Sequence, residues 1–263
     1  MHDHGDHAGG GAGLLIVLAG LAGVAPYLLL LARRGAGRWP WTRTAAWVLG
    51  VAVAGPLAER AHHGFVAHMW THLLLGMIAP LLLVLARPVT LALQALPTWA
   101  ARQLVGVLRS GPVRLVTNPW VAALLNVGGL WLLYATPLYA RMRDSPPLHA
   151  VVHLHVLLAG WVFTLALVGQ DPNPHRASLI QRSAVAITSL AAHDVLAKWI
   201  YAHPPTGMTT AAAEQGGMLM YYGGDAVDVL LVAIMWAQWY RLGARRPGVS
   251  RVSSVNGRRP AVS

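Results

Sequence analysis

The sequence predicts an all-α integral membrane protein with seven transmembrane helices. The composition is 56% hydrophobic and only 11% charged, whereas a soluble domain carries about 25% charged residues. Apolar runs close to the roughly 20 residues that cross a bilayer recur along the chain, and the arginines fall between them. The formal net charge of +11 therefore indicates a topology signal and contact with anionic lipid, and we expect no nucleic-acid partner.

The apolar runs place the seven predicted helices in order along the chain. They are expected at residues 14–32, 44–61, 64–86, 119–140, 147–169, 179–200 and 216–240. The second is the shortest because Pro56 interrupts it. Residues 87–118 mix leucines with arginines and are broken by prolines, which predicts an amphipathic interfacial segment between helices 3 and 4.

The basic residues predict the orientation. With the amino terminus outside and the carboxyl terminus inside (N-out/C-in), most of the 20 Lys and Arg residues face the inside, as the positive-inside rule requires. The sequence thus predicts a multi-pass protein of the cell membrane. It has a His-rich extracytoplasmic tail at 1–13, a membrane domain at 14–242 and a basic, disordered cytoplasmic tail at 243–263.

Histidines form the most informative polar pattern. In this topology, all but His175 of the 13 histidines lie outside or in the outer half of the membrane. Ionisable groups are rare in hydrocarbon, where a charge at a helix centre costs about 2.5–3.5 kcal/mol on insertion scales. Several ionisable side chains at the same depth in the membrane therefore predict a binding site. The histidines within the helices that form this set are His68, His72, His149, His153 and His193.

The spacing of these histidines suits a metal ion. His68 and His72 are four residues apart and share a helix face, and His149 and His153 repeat the spacing. With no cysteine in the chain, metal ligands are restricted to His, Met, Asp, Glu and Tyr, a set that fits copper better than a hard ion. We expect copper(I), with Asp225 as a ligand or as a group that orients a histidine or offsets charge.

A shared ion requires the side chains of the histidines in helices 3, 5 and 6 to converge within about 8 Å, given metal–nitrogen bonds of about 2.0–2.1 Å. The plainer interpretation of any single buried histidine is an interhelical hydrogen bond. His155, His175 and His203 are expected to be incidental to the site. Asp194 and Lys198 are expected to form an ion pair, because they are four residues apart on one helix.

Three stretches resemble the CtaG family of multi-helix assembly factors for cytochrome c oxidase. They are FVAHMWTHLLLGMIAPLLLVLARPVTLALQALP, LVGQDPNP and EQGGMLMYYGGDAVDVLLVAIMW, and the resemblance covers about residues 45–241. Thr71 and Leu81 depart from the family pattern, which has Gln and Pro at these positions.

The resemblance implies a chaperone that helps to form the oxidase copper centre. The implied ligands carry over to His68, His72, His153 and His193, with Asp225 beside them. The implied partner is an oxidase subunit or another copper chaperone, and no enzymatic activity is implied.

Two other functions remain open at this point. A membrane b-type haem protein would use histidines on opposing helices, such as His72 and His153, as axial ligands. A metal- or proton-coupled transporter would use Asp225 and Asp228 as coupling groups. The one-sided distribution of the histidines favours loading an ion at the outer surface over conducting it through the membrane.

Overall fold

The computed structural model describes residues 6–34, 37–55 and 64–244, with side chains from residue 20 to residue 241 of these ranges. It is 83% helical, and no strand occurs in the described ranges, which confirms the all-α prediction. Three parts of the chain lie outside the described residues. They are the side chains of His2, His4 and His7, the residues His62 and His63, and the basic tail from 245 onward.

Thirteen α-helices and two π-helical turns make up the described chain. The helices are α1 (Asp6–Arg33), α2 (Trp41–Ala54), α3 (Phe65–Leu73), α4 (Ala79–Leu85), α5 (Pro88–Ala95), α6 (Thr98–Leu108), α7 (Gly111–Val116), α8 (Pro119–Ala123), α9 (Gly129–Tyr134), α10 (Leu138–Arg143), α11 (Pro146–Val168), α12 (Leu179–Ala202) and α13 (Thr210–Ala244). The turn π1 (Leu74–Ile78) joins α3 to α4, and π2 (Leu124–Gly128) joins α8 to α9.

Each of the seven predicted apolar segments contains a helix. Three helical stretches are long and apolar enough to cross a membrane, namely Phe65–Ala95, Pro146–Val168 and Thr210–Arg241. Gly20–Arg33 and Pro119–Tyr134 are apolar but shorter. The structure is thus consistent with a membrane protein. Helix α1 begins at Asp6, before the predicted start at residue 14, and the amphipathic segment folds as α5, α6 and α7.

The turn π1 adapts the third long helix to a proline. Pro80 has no N–H, and its ring would clash with the carbonyl group of Gly76 in a regular α-helix. In π1 the N–H of Ala79 bonds to the carbonyl of Leu74 instead. The carbonyl of Gly76 then faces α11, where a Cβ on Gly160 would overlap its oxygen. The two helices therefore cross in direct backbone contact at Gly160.

A buried carboxylate holds the corner between α4 and α5. Arg87 adopts a left-handed conformation with φ 54°, and the hydroxyl of Tyr27 donates to the Ala86 carbonyl at 3.0 Å. Asp171 accepts hydrogen bonds from the backbone N–H groups of Val89 and Thr90 at 3.2 and 2.7 Å and from the Thr90 hydroxyl. Asp171 lies in the LVGQDPNP stretch, so that motif caps α5 from a distant loop.

We expect Asp171→Ala to lower the free energy of unfolding by about 2–3 kcal/mol. The substitution leaves three donors at the start of α5 without their charged acceptor, and hydrogen bonds to charged groups contribute about 1.5–3 kcal/mol. Thermal unfolding of the detergent-solubilised protein measures the effect. Asp144→Ala, at an exposed position, is the matched control, and equal losses in both variants would contradict a capping role.

The helices that carry the predicted site pack against one another at the centre of the bundle. Helix α13 packs along α12 and crosses α3, and α11 packs against π1 and α4. The carboxyl end of α11 is capped by its neighbours: Arg182 donates to the Leu167 carbonyl at 2.6 Å, and Gln238 donates to the Val168 carbonyl at 2.9 Å. These contacts fix the ends of the helices that carry the predicted site.

Candidate metal centre

An open pocket of about 230 Å³ lies at the start of α3. We call it the vestibule. Its functional side chains come from α3, α10, α11 and the loop before α13, and they are His68, Met142, Arg143, His149, His153 and Met208.

Three imidazoles lie close together in the vestibule. The rings of His149 and His153 are 4.0 Å apart between centroids and perpendicular, and His153 is 5.7 Å from His68. His68 Nε2 is hydrogen bonded to the hydroxyl of the buried Tyr134 at 3.0 Å. The ring of Tyr139, in the wall of the vestibule, is 5.0 Å from the ring of His68 between centroids.

A second, smaller space of about 30 Å³ lies one turn further along α3. We call it the cavity. His72 and His193 face it, each only 5% exposed, with ring centroids 6.0 Å apart and ring planes at 27°. None of their four ring nitrogens has a hydrogen-bond partner among the described residues. Buried polar groups are nearly always hydrogen bonded, and each one left unsatisfied costs about 1–3 kcal/mol.

Polar side chains complete the cavity wall. Asp228, from α13, is 6% exposed and lines the cavity together with Asn126, Thr164 and Ser189. Helix α13 can approach the His193 ring this closely only because residue 224 is glycine. A Cβ at that position would lie 2.6 Å from the His193 Cε1 atom.

The predicted site residues thus fall into two groups instead of one. His68, His149 and His153 line the vestibule, and His72 and His193 line the cavity. In the ranges that the structure describes, no three His, Asp or Glu side chains are arranged to hold one metal ion. The two groups are joined through α3, since His68 and His72 are on successive turns.

Asp225 lies at the edge of the cavity group. Its carboxyl group is near enough to His193 and to Asp194 to interact electrostatically with both. Lys198, which we expected to pair with Asp194, places its ammonium group 4.9 Å from the centroid of the Tyr221 ring.

Two of the three histidines expected to be incidental, His155 and His203, have local roles. The Nε2–H of His155 donates to the Leu125 carbonyl in π2 at 3.1 Å, and the Nδ1–H of His203 donates to the Trp199 carbonyl one helical turn earlier at 3.2 Å. In a regular α-helix the Leu125 carbonyl would accept a backbone N–H. In π2 it accepts the hydrogen bond from His155, which therefore stabilises the turn.

Sequence reasoning did not place three residues in the site: Asp228 and Arg143, which line the pockets, and Tyr134, which is hydrogen bonded to His68. Asp228 was considered together with Asp225, but only Asp225 was assigned to the site. Tyr134 was part of an apolar run, and Arg143 served only to predict the topology. The three-residue spacing of Asp225 and Asp228 was a usable signal. The rotation of α13 about its axis decides whether Asp225 or Asp228 faces the histidines. That rotation is set by the packing of α13 against α12 and α3.

The chain matches the profile of the family described as "Cytochrome c oxidase caa3 assembly factor (Caa3_CtaG)" over residues 25–242. It is 26% identical to an uncharacterized protein of Mycobacterium leprae, over 87% of this chain and 38% of the relative. Uncharacterized proteins of Mycobacterium bovis and Mycobacterium tuberculosis are each 34% identical to it, over 64% of this chain and 26% of the relative.

The chain thus spans less than two fifths of the length of these relatives, and no solved structure matches it. The family match covers most of the chain and includes α3, α11, α12 and α13. It confirms the resemblance seen in the sequence. The protein therefore belongs to the cytochrome c oxidase caa3 assembly factor family.

Proposed function

We propose that this protein binds copper(I) between His72 and His193 and supplies it for assembly of the copper centre of cytochrome c oxidase. The observation that carries the proposal is the pair of buried imidazoles in the cavity, whose nitrogens have no hydrogen-bond partner among the described residues. One metal ion can bind a nitrogen of each ring at once.

The separation of the two rings fits one bridging ion. Two metal–nitrogen bonds of about 2.0–2.1 Å, plus ~1.1 Å from each nitrogen to its ring centroid, give a centroid separation of about 6.3 Å for a linear arrangement. The distance between His72 and His193 is 6.0 Å. The separation of the ring centroids is therefore compatible with one bridging ion.

The size of the cavity and its donor set favour copper(I). A space of about 30 Å³ has room for only two or three water molecules, at roughly 10–15 Å³ each, so an ion that keeps its full hydration shell does not fit. Zinc prefers four ligands in a protein site, whereas copper(I) accepts two. The chain has no cysteine, and imidazole is a suitable ligand for copper.

The positive charge of the bound ion needs an offset in a buried site. Two neutral imidazoles and one copper(I) ion carry a net charge of +1, which is costly to bury. The carboxyl group of Asp228 lines the same cavity, and Asp225 interacts electrostatically with His193. We assign the charge offset to Asp228 and the positioning of His193 to Asp225.

The alternatives fit the pockets less well. A haem macrocycle needs a slot of several hundred Å³, the range of pockets for drug-sized ligands, and neither the cavity nor the vestibule is that large. A coupled transporter is favoured only by the proximity of the carboxyl groups of Asp194 and Asp225. Copper uptake into sealed vesicles containing the protein would favour transport over delivery.

The proposal includes a topology. All seven predicted segments span the cell membrane, N-out/C-in, so that the vestibule opens to the outside and the cavity lies deeper in the outer half. The partner is an oxidase subunit or another copper chaperone. Copper is cargo in this scheme, no substrate bond is made or broken, and the protein is not an enzyme.

The proposal is tested by titrating the protein with copper(I) under reducing conditions and recording the copper K-edge absorption spectrum. We expect one copper per chain, bound by two nitrogen ligands. A spectrum of four ligands, or loading that zinc blocks at equal concentration, would contradict it. Cells that lack the protein should assemble an oxidase deficient in copper but not in haem.

A further inference from the structure

We infer that the vestibule admits copper(I) as a small anionic complex, which the guanidinium group of Arg143 holds while the histidines take over the ion. This inference rests on the proposed function, because it describes how the ion reaches the cavity. It concerns the vestibule alone and is tested separately from the site at His72 and His193.

The charge of the vestibule is opposite to that of an ordinary cation site. Arg143 is the one charged side chain among the described residues that line it, and no carboxylate is among them. The exposed Arg143 also has no acidic partner in the described part of the chain. A bare cation is repelled by this wall, whereas a complex with net negative charge is attracted.

The volume of the vestibule indicates a small ligand. About 230 Å³ far exceeds the space of a single ion, yet lies below the roughly 300–1,000 Å³ of pockets for drug-sized molecules. Several heavy atoms therefore fit beside the ion. The soft thioethers of Met142 and Met208 and the imidazoles of His149 and His153 surround this space and are ligands that copper(I) prefers.

The backbone holds Arg143 at the mouth of the vestibule. The residue ends the short helix α10, and its guanidinium group passes close to Gly207, where a Cβ would lie 3.1 Å from Nη1. Gly207 has φ 83°, a conformation that favours glycine. Because Gly207 has no side chain, the loop before α13 leaves room for the guanidinium group of Arg143.

The transfer is a ligand exchange without a redox step. A nitrogen of His149 or His153 forms a bond to copper(I), a bond between copper and the anionic ligand breaks, and the ligand leaves with its electron pair. Copper remains copper(I) throughout. Arg143 holds the departing anion and has no bond to the metal.

The test compares two copper(I) donors of opposite charge. The purified protein receives copper(I) thiosulfate, which is anionic, or tetrakis(acetonitrile)copper(I), which is cationic, and bound copper is measured after rapid desalting. With the anionic donor, we expect Arg143→Gln to load about 10-fold more slowly than wild type. With the cationic donor, the variant should load at least as fast as wild type. Raising the salt concentration should slow only the wild type with the anionic donor.

Arg141→Gln provides the matched control, since this arginine is on the same helix, is exposed and does not line the vestibule. It should load like wild type, and Gly207→Ala should share part of the Arg143→Gln defect. The inference is overturned if Arg143→Gln loads from thiosulfate as fast as wild type, or faster from both donors. If wild type binds no copper from either donor, the proposed function itself fails.

Discussion

Replacing both His72 and His193 with alanine is expected to reduce copper(I) binding from one ion per chain to background. Each histidine supplies one of two bonds in the proposed site, so each single substitution should weaken binding by at least 100-fold. Loss of one outer-sphere partner of a metal ligand already costs 10–100-fold. Competition with a copper(I) chelator of known affinity measures the change.

Replacement by leucine separates binding from folding. His72 and His193 have no hydrogen-bond partners among the described residues, so an apolar side chain of similar volume loses no hydrogen bond and removes an unsatisfied group. We expect the metal-free His72→Leu and His193→Leu proteins to unfold at or above the temperature of the metal-free wild type. Copper should raise the unfolding temperature of wild type alone, by mass action.

His155→Ala is the control for these variants, because His155 is hydrogen bonded to the Leu125 carbonyl and lines neither pocket. It should keep copper while losing some stability. Full copper binding by the double variant would rule out the cavity as the site and leave the vestibule histidines as the alternative.

Among glycine-to-alanine substitutions, each of which adds one methyl group, Gly160→Ala is expected to lower the free energy of unfolding most. A Cβ at this position would overlap the Gly76 carbonyl oxygen and lie 3.1 Å from Pro80 Cγ. Both obstacles belong to a rigid segment, so the helices must separate. Overpacking a core costs about 1–3 kcal/mol, sometimes more, and we expect the upper end of that range.

The same substitution should also weaken copper binding, because π1 and α3 are continuous and a displaced Gly76 shifts His72, one turn away. Thermal unfolding and copper titration of one sample measure both effects. Gly106→Ala is the control: this glycine is within α6, and a Cβ there meets no atom within 4 Å. It should be neutral or stabilising by about 1 kcal/mol, the difference in helix propensity. A folded Gly160→Ala protein with wild-type stability would contradict the close contact.

Much of the helical arrangement is predictable from hydropathy because helix length is set locally. A run such as 147–169 has the length and apolarity of a membrane helix, and α11 occupies nearly the same residues. The ends are harder to predict. Helix α13 extends from 210 to 244, well beyond the predicted 216–240, because the residues at its ends include good helix formers that are not apolar enough to mark a membrane span.

The role of LVGQDPNP shows the opposite case. As a sequence it marks the end of a helix and a loop. Only the structure brings Asp171 to the start of α5, 81 residues away in the chain, where it caps the helix. A contact of this kind depends on where the loop lies relative to a distant helix, and the local residues do not encode that position.

By itself, the sequence determined which helices carry histidines and which of these share a helix face, because four-residue spacing has a fixed geometry in an α-helix. It also excluded thiolate ligands through the absence of cysteine and indicated the family. It did not determine which histidines from different helices meet.

The packing of the helices brings His153 beside His68 and His193 beside His72. The depth at which two helices present their side chains to each other depends on their crossing points. Here these are set by the backbone contact at Gly160, the turn π1 and the close approach of Gly224 to His193. Such contacts join residues far apart in the chain, and they divide one expected cluster into a vestibule and a cavity.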